Sequence, residues 1–364
     1  MASSFGERLR VSVYGESHGT GIGALIEGLP AGFPIDTDAL MQFMQRRQGG
    51  NNALSTSRKE PDIPEFISGV TDGKTNGFPL CITIKNTNTR SGDYSELRDK
   101  PRPSHADYPA YVKWGGMADM RGGGHFSGRL TAPVCAAGGI AKQVLASRKI
   151  YVGAHISRIA GIADAPFPMQ PDAALFDEIA GKAFPVISDA AGEQMQAAIL
   201  NAKSAGDSVG GVITCCVTGM PAGLGDPMFD GIENRLARVL FGIPAVKGVE
   251  FGDGFALADM RGSAANDPYC IAENGTVAAK TNRNGGILGG ITTGMPIVFR
   301  TAIKPTPSIA MKQETVSLST MQPAELEIRG RHDPCITQRA VPVIEAAAAL
   351  VMLDILLADG AHHI

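Results

Sequence analysis

The sequence GVITCCVTGMPAGLG at residues 211–225 has a counterpart near the start of the chain, GALIEGLPAGFP at residues 23–34. Each begins with an apolar run typical of a buried strand, passes through the turn sequence G-x-P-A-G, and leads into a segment with helical spacing. A short match in a turn rich in glycine and proline is compatible with chance or with an internal duplication. A duplication would imply two similar halves that share one core.

In the rest of the chain, alternation of apolar and polar residues predicts strands, and apolar residues with a period of 3.6 predict helices. The predicted strands are 8–17, 79–86, 150–160 and 209–218, and the predicted helices are 37–47, 131–148, 189–205, 227–241 and 338–358. Asp36 is expected to cap the first helix, and Arg46 and Arg47 to end it. No linker-like tract separates the two halves, which predicts a single domain.

The composition is that of a globular protein without a strong charge bias. Of 364 residues, 44% are apolar, and 33 Lys and Arg against 36 Asp and Glu give a net charge of −3. This balance provides no overall attraction to nucleic acid or to an anionic membrane. The 45 glycines exceed the average share of roughly 7% and predict many tight turns and close backbone approaches.

Three features bear on the cellular compartment. The first residues, MASSFGERLR, lack the apolar segment of a signal peptide. The apolar stretch 343–358 contains Glu345 and Asp354 and is shorter than the ~20 residues that span a bilayer, which indicates a buried helix. The six cysteines form no CxxC pair and lie mostly among apolar neighbours, which predicts buried free thiols. We therefore expect a cytoplasmic protein.

The histidines mark a candidate site. His155 lies in a strand pattern and is expected to be structural, and two further histidines lie in the C-terminal tail. The remaining four, His18, His105, His125 and His332, lie in irregular segments rich in Gly, Arg or Asp. Titratable groups in such clusters are typical of functional sites, so we expect these four to contribute to one.

The first cluster, GESHG at 15–19, matches the G-x-S-x-G pattern of serine hydrolases. The hydrolase motif joins a strand to a helix. Here TGIGALIEG at 20–28 has the pattern of a second strand. This context disfavours an acyl hydrolase that would use Ser17.

The glycine run in RGGGHFSGR at 121–129 precedes a predicted helix. Consecutive glycines there form either an anion-binding concavity of backbone N–H groups or a flexible hinge. The run lacks the GK[ST] of a P-loop, and no G-x-G-x-x-G follows a strand, which disfavours NTPases and Rossmann dehydrogenases. No HExxH or CxxC motif occurs, so no metal site is expected.

Several other residues are of types that bind anions or transfer protons. Lys304 and Thr306 lie beside two prolines and resemble a rigid contact for phosphate or carboxylate. Asp333 is either a functional residue or, with Thr337, an N-cap of the last helix. Together with the arginines, these residues point to proton chemistry on a small polyanionic substrate, with a cofactor for the difficult step. The residues alone do not name the reaction.

In their order along the chain, these motifs resemble those of the chorismate synthase family. The matching stretches are GESHG (15–19), RR-x-GG (46–50), RPSHAD (102–107), RGGGHFSGR (121–129), AVKGVEFGDGF (245–255), NGGILGG (284–290), KPTPS (304–308) and GRHDPC (330–335). The resemblance implies an α+β fold, a β-α-β sandwich with internal pseudo-symmetry. It implies one catalytic domain over residues 1–360 with a polar tail at 361–364, and a homotetramer.

The resemblance also implies a reaction. The family are carbon–oxygen lyases that eliminate phosphate from 5-enolpyruvylshikimate 3-phosphate in a 1,4-anti sense and give chorismate, in the shikimate pathway of aromatic amino acid biosynthesis. They use reduced FMN without net redox change, and the flavin receives its electrons from NADPH or from an external reductase.

Residue roles follow from the same resemblance. His18 would protonate or hydrogen-bond the leaving phosphate, His105 would stabilise the anionic reduced flavin, and Asp333 would position a flavin ring nitrogen together with Ser17 and Ser127. The arginines expected to bind substrate are Arg46, Arg47, Arg58, Arg102, Arg129 and Arg331. The residues expected to bind FMN are His125, Phe126, Ser127, Pro244, Ala245, Gly289, Lys304, Pro305, Thr306, Pro307, Ser308 and Arg331.

Two positions depart from the family pattern. Many members carry a further arginine shortly after Arg47, where this chain has GGNNALSTSR, so that Arg58 is the candidate replacement. Some members carry arginine in place of His125. Two rival functions remain: an oxidoreductase on the same scaffold, which would consume reduced nicotinamide stoichiometrically, and a non-enzymatic binding protein, in which replacing His18 would change only stability.

Overall fold

The computed structural model describes residues 3–49, 54–55, 60–88, 96–273, 275–328 and 333–359. The strands are β1 (Ser4–Phe5), β2 (Arg10–Gly15), β3 (Gly21–Glu27), β4 (Glu65–Ser68), β5 (Val70–Thr71), β6 (Lys74–Thr75), β7 (Leu80–Lys85), β8 (Tyr151–Ile159), β9 (Ile162–Ala163), β10 (Gly211–Thr218), β11 (Val246–Phe251), β12 (Tyr269–Ile271), β13 (Val277–Ala279), β14 (Ile287–Leu288), β15 (Ile291–Thr292), β16 (Ile297–Ile303), β17 (Gln313–Ser317) and β18 (Gln322–Leu326). The helices are α1 (Thr37–Gln45), α2 (Asp107–Trp114), α3 (Thr131–Ala146), α4 (Ala173–Gly181), α5 (Asp189–Ser204), α6 (Ile232–Leu240), α7 (Gly262–Ala265) and α8 (Thr337–Asp359).

Two five-stranded antiparallel sheets form the outer layers of a sandwich. Their strand orders are β1-β2-β3-β7-β4 and β11-β16-β10-β8-β9. Helices α3 and α8 pack against each other between the sheets, α3 on β3 and β7 and α8 on β8 and β10. One cluster of buried apolar side chains runs through both sheets and both helices. This arrangement confirms the predicted α+β fold of the β-α-β sandwich type.

Small residues allow the two central helices to approach closely. A Cβ atom on Gly138 of α3 would lie 2.3 Å from Cβ of Ala346 of α8, so only glycine fits there. Helix α8 is long and apolar enough to cross a membrane by length and composition, but 89% of its most apolar window is buried inside the protein. The prediction of a buried helix at 343–358 is therefore confirmed.

The two halves of the chain repeat one topology. The order β2-β3-α1-β4-β7-α3 in the first half matches β8-β10-α6-β11-β16-α8 in the second, with β1 and β9 at equivalent edges. Gly28 and Gly219, which open the two G-x-P-A-G turns, have φ values of 91° and 84°. A Cβ atom would lie 1.8 Å from the carbonyl oxygen of Arg8 in one turn and 2.2 Å from that of Lys149 in the other. The same glycine is thus required for the same reason in both halves, which supports duplication.

Most predicted elements are present with slightly different bounds. The predicted helix at 227–241 begins only at Ile232, and Asp36 caps α1 through a 2.9 Å bond from the Ala39 amide. Strand β16 was missed, although its IVFRTAI alternates buried and half-buried residues as a strand does. The cysteines are free thiols, four of them buried and Cys81 and Cys270 half-buried.

Candidate functional site

A cleft of about 1410 Å³ opens where the first turns of α3 and α8 meet four loops. These loops contain residues 102–106, 117–130, 241–246 and 304–308. The volume exceeds the roughly 300–1,000 Å³ typical of a pocket for one small molecule. The N-terminal ends of the two helices add partial positive charge on the same side. The cleft is therefore suited to more than one ligand and to anionic groups.

The glycine run lies between two histidines. Gly122, Gly123 and Gly124 all have positive φ, which glycine adopts readily. A Cβ atom on Gly122 would lie 2.6 Å from Nε2 of His18, and one on Gly123 would lie 3.4 Å from Nε2 of His105. The absence of side chains thus lets both imidazole rings reach one loop of the cleft. Since GESHG joins β2 to β3, strand to strand, the structure also confirms that the hydrolase motif is not formed.

His105 is held by a buried ion pair. Its Nδ1 atom lies 2.7 Å from Oδ1 of Asp107, and Asp107 also accepts bonds from Nε and Nη2 of Arg102, each at 2.7 Å. Burial opposes ionisation of the Asp107 carboxyl, but the bonds from Arg102 and His105 outweigh it and hold its pKa well below the usual value. The carboxylate therefore stays charged and fixes the imidazole ring, leaving Nε2 toward the glycine run.

A second buried carboxylate lies under the cleft. Asp62 is fully buried, and it bridges Arg47 and Arg129, whose side chains are 4% exposed. Burial opposes its ionisation, but the two guanidinium groups outweigh this and lower the pKa of Asp62. The two arginines predicted to bind substrate therefore form a rigid pair around a shared anion.

At the start of α8, Nη1 of Arg339 donates to Oδ2 of Asp333 at 2.6 Å, and its Nε donates to the carbonyl oxygen of Arg47 at 2.9 Å. Arg339 and Asp333 both line the cleft. This side chain thus links the predicted cofactor-positioning carboxylate to the arginine pair.

The loop that contains KPTPS closes the opposite side. Nζ of Lys304 donates to the carbonyl oxygen of Ser104, and burial together with the nearby Lys247 lowers its pKa. Nη1 of Arg102 lies 3.4 Å from Oγ of Ser308, which connects this loop to the His105 ion pair. Lys304 therefore brings positive charge to a wall of the cleft that also contains rigid prolines.

His125 is fixed by the N-terminal segment. Its Nδ1–H donates to the carbonyl oxygen of Gly15 at 2.8 Å, and its Nε2 accepts from the hydroxyl of Ser3 at 2.8 Å. The neighbouring Phe126 packs against Trp114 with ring centroids 5.9 Å apart. Both aromatic rings line the cleft, where they provide an apolar surface.

Three buried polar atoms at or beside the cleft have no hydrogen-bond partner in the described part of the chain. They are Oγ of Ser17, Nε of Arg47 and Oγ1 of Thr306. Buried polar groups are almost always paired, so unpaired ones at a cleft indicate where a ligand binds. The combination of unpaired donors, arginines and aromatic rings fits a phosphorylated, planar cofactor and an anionic substrate.

The structure brings most of the predicted site residues together. Those that line the cleft are Arg47, Arg102, His105, His125, Phe126, Ser127, Arg129, Pro244, Ala245, Lys304, Thr306, Pro307, Ser308 and Asp333. Ser17 and His18 adjoin it through Gly122. Arg58 and Arg331, like His332, lie outside the described residues.

Besides Ser17 and His18, three described residues of the predicted site do not line the cleft. Arg46 instead forms a buried bidentate ion pair with Glu345 of α8 at 2.6 and 2.9 Å, so its predicted contact with substrate is not supported. Pro305 points away, exposed between lining neighbours. Gly289 lies in the exposed turn of the β14–β15 hairpin. Arg46 and Arg47 have different partners because adjacent residues at a helix end point about 100° apart.

Three residues of the site were missed: Asp62, Asp107 and Arg339. Asp107 could have been found, because it lies two residues after His105 and a carboxylate there can hold the ring. Arg339 lies near the predicted Asp333 cluster, one turn into the last helix. Asp62 gave no signal, since its role depends on two arginines distant in sequence.

Comparison with known proteins agrees with the geometry. A sequence model of the chorismate synthase family matches residues 9–357. The chorismate synthase of Lancefieldella parvula is 44% identical over 98% of this chain and 96% of its own, and that of Thermococcus kodakarensis is 46% identical over 97% of both. A crystal structure of chorismate synthase superposes with a TM-score of 0.77 at 28% identity, covering 98% of this chain and 93% of that one. The chain belongs to the chorismate synthase family.

Proposed function

We propose that the cleft converts 5-enolpyruvylshikimate 3-phosphate to chorismate and phosphate by 1,4-anti elimination, with reduced FMN as cofactor. The chain is then a carbon–oxygen lyase of the shikimate pathway, in line with the family to which it belongs. The observation that carries the proposal is the gathering of a glycine run, with His18 and His105 against it, and a buried arginine pair around one cleft.

The substrate has three anionic groups, one phosphate and two carboxylates. Arg47 and Arg129 are buried and charged, and Arg339 lies beside them. Guanidinium groups bind such oxyanions through charge-assisted hydrogen bonds. We assign these arginines to substrate binding, because their fixed geometry holds the anionic groups of the substrate in one orientation in the cleft.

His18 is assigned as the proton donor to the leaving phosphate. Negative charge develops on the phosphate oxygen as the carbon–oxygen bond breaks, and a protonated imidazole stabilises it. The ring lies against the backbone of Gly122, which restricts its position. The ring hydrogen that leaves in the same reaction is not acidic. The protein therefore contributes charge and orientation to the elimination.

The cofactor is assigned to the wall formed by residues 125–127, 244–245 and 304–308, apart from Pro305. Thr306 has an unpaired hydroxyl oxygen there and Lys304 provides a cation, which suits a phosphate. When bound, reduced FMN supplies electron density that assists the departure of phosphate and is returned, so that there is no net redox change. His105, oriented by Asp107, would stabilise a negative charge on the flavin, and Asp333 with Ser17 and Ser127 would orient the flavin.

We also propose a cytoplasmic homotetramer with one catalytic domain over residues 1–360. Large apolar side chains that are exposed in the single chain support subunit contacts, among them Phe229 at 88%, Phe255 at 83% and Tyr269 at 66%. Sedimentation equilibrium of the purified protein tests this. A monomer at micromolar concentration would contradict it.

The central experiment is an anaerobic assay of the purified protein with 5-enolpyruvylshikimate 3-phosphate and chemically reduced FMN. Phosphate release and chorismate absorbance are followed together. Equal amounts of both, with substoichiometric flavin and no activity with oxidised FMN, are expected. Stoichiometric consumption of reduced flavin or nicotinamide would instead favour the oxidoreductase, and no turnover despite flavin binding would contradict the proposal.

A further inference from the structure

The carboxylate of Asp62 is the most completely buried charge under the cleft. Its exposed fraction is zero, and each oxygen faces a different guanidinium, Oδ2 that of Arg47 and Oδ1 that of Arg129. The two arginines come from different parts of the chain, one from the end of α1 and one just before α3. Asp62 thus joins two segments exactly where the substrate's anions are expected.

We propose that Asp62 is a positioning residue of the cleft. It fixes the guanidinium groups of Arg47 and Arg129 side by side and leaves the Nε–H of Arg47 as the donor that binds an oxyanion of the substrate. The assignment of the oxyanion to this substrate rests on the proposed function.

The hydrogen bonds of Arg47 lead to this donor. Nη2 is used by Asp62, and Nη1 lies 3.4 Å from both the carbonyl oxygen of Gly128 and Oγ1 of Thr131. Nε has no partner among the described residues, although the side chain is only 4% exposed. A buried N–H left unpaired is costly, so its retention at the cleft points to a ligand that accepts from it.

Arg129 has a different pattern. Nε donates to Oδ1 of Asn86 at 3.0 Å, Nη2 to the carbonyl oxygen of Lys85 at 3.2 Å, and Nη1 to Asp62. Each of its three nitrogens therefore has a protein partner. Arg129 contributes positive charge and anchors Asp62, whereas Arg47 contributes the unpaired donor.

Electrostatics gives Asp62 a second effect on the pair. Two guanidinium groups this close in a buried site would repel each other, and a carboxylate between them removes that repulsion. Asp62, Arg47 and Arg129 together retain one net positive charge for the substrate.

The backbone of Asp62 decides which substitution can test this role. Asp62 has φ of 48°, a left-handed conformation that Asp and Asn tolerate better than other non-glycine residues. Asparagine is therefore the substitution that removes the charge without adding backbone strain.

The test compares Asp62→Asn with Asp164→Asn. Asp164 is a matched control, because its side chain is also fully buried and pairs with His155, but it does not line the cleft. We expect both variants to lower the melting temperature. Only D62N is expected to raise KM, by roughly 10–100-fold, with kcat changed less than about threefold, because a buried charge pair of the binding site is lost.

Isothermal titration calorimetry of the protein with inorganic phosphate separates this inference from the proposed function. If the wild type has no turnover, the proposed function fails, yet a weaker phosphate affinity of D62N relative to D164N still supports the role of Asp62. The Arg47→Lys variant tests the coupling: D62N should have a smaller effect on phosphate affinity in that background, because both changes act on one donor.

Two results would overturn the inference. One is a D62N variant with wild-type KM and phosphate affinity and only a lower melting temperature. The other is tighter anion binding by D62N, which would mean that Asp62 competes with the ligand instead of positioning its donor. If D62N does not fold, Asp62→Glu retains the charge but moves it by one methylene, and an unchanged KM in that folded variant would equally overturn the inference.

Discussion

Nδ1 of His105 lies 2.7 Å from Oδ1 of Asp107, while Nε2 of the same ring faces Gly123. The ionised carboxylate accepts from Nδ1–H and holds the ring with Nε2 toward this loop. Arg102 donates three hydrogen bonds to the same carboxylate, through its backbone N, Nε and Nη2. The orientation of His105 is therefore set by one buried ion pair.

Replacing Asp107 by Asn should lower kcat by roughly 10–100-fold, less than the ~10²–10⁴-fold loss from removing a proton-transfer group. With the carboxylate gone, Nδ1 of His105 loses the partner that fixes the ring, so the loss should appear in kcat with little change in KM. A variant with the wild-type kcat, changed only in melting temperature, would mean that Asp107 is merely structural.

Removing either site histidine should affect turnover and leave the fold intact. His18→Ala and His105→Ala are each expected to reduce kcat by ~10²–10⁴-fold. His155→Gln is the control, because His155 is fully buried in β8, bonded to Asp164, and does not line the cleft. It should lower the melting temperature with little effect on kcat. Near-normal turnover in H18A or H105A would remove that histidine from the mechanism.

Gly122 offers a test that leaves both rings in place. A Cβ atom there would lie 2.5 Å from Cδ2 of His18 and 2.8 Å from Oγ of Ser17, so Gly122→Ala must displace the ring or the loop. We expect at least a tenfold loss of kcat, since small misplacements of a catalytic group are costly. Gly161→Ala is the matched control, with φ of 86° but no atom within 4 Å of the added methyl. Equal kinetic effects of the two substitutions would refute the steric argument.

The sequence predicts the repeated parts of this fold better than its ion pairs. Alternation in 8–17 and 150–160 and the small-residue helix at 131–148 are local patterns, so they predict β2, β8 and α3 closely. The difference between Arg46 and Arg47 is not local, because it depends on Glu345, 299 residues after Arg46. The same holds for Asp62, whose partners lie 15 and 67 residues away. Motif patterns therefore indicate which loops form the site, while the tertiary fold determines which charged side chains form ion pairs.

Substitutions of the adjacent residues Arg46 and Arg47 should have opposite effects, one mainly on the free energy of unfolding and the other mainly on KM. Arg46→Gln leaves Glu345 paired with Lys142 alone, so we expect a loss of about 1–3 kcal/mol in the free energy of unfolding and little change in KM. Arg47→Lys keeps the charge but loses the planar donors, so KM should rise about tenfold with a smaller loss of stability. Urea unfolding and steady-state kinetics on both variants decide this. A large KM effect of R46Q would restore Arg46 to the substrate site.

Glu345 should make stability depend on pH in the acid range. Burial raises its pKa, but attraction to Arg46 and Lys142 outweighs burial and lowers the pKa to about 2 from 4.5. Because the folded-state pKa is the lower one, this stabilisation is complete above pH 4.5 and is lost as the pH falls toward 2. The free energy of unfolding should thus differ between wild type and Glu345→Gln by a constant amount near neutral pH, and the difference should shrink below pH 4.5.

Glu65→Gln is the control. Glu65 pairs with Lys85 at 2.6 Å on the surface, so the substitution should change the free energy of unfolding by less than about 1 kcal/mol. A difference between wild type and E345Q that stays constant into the acid range would show that ionisation of Glu345 does not stabilise the core.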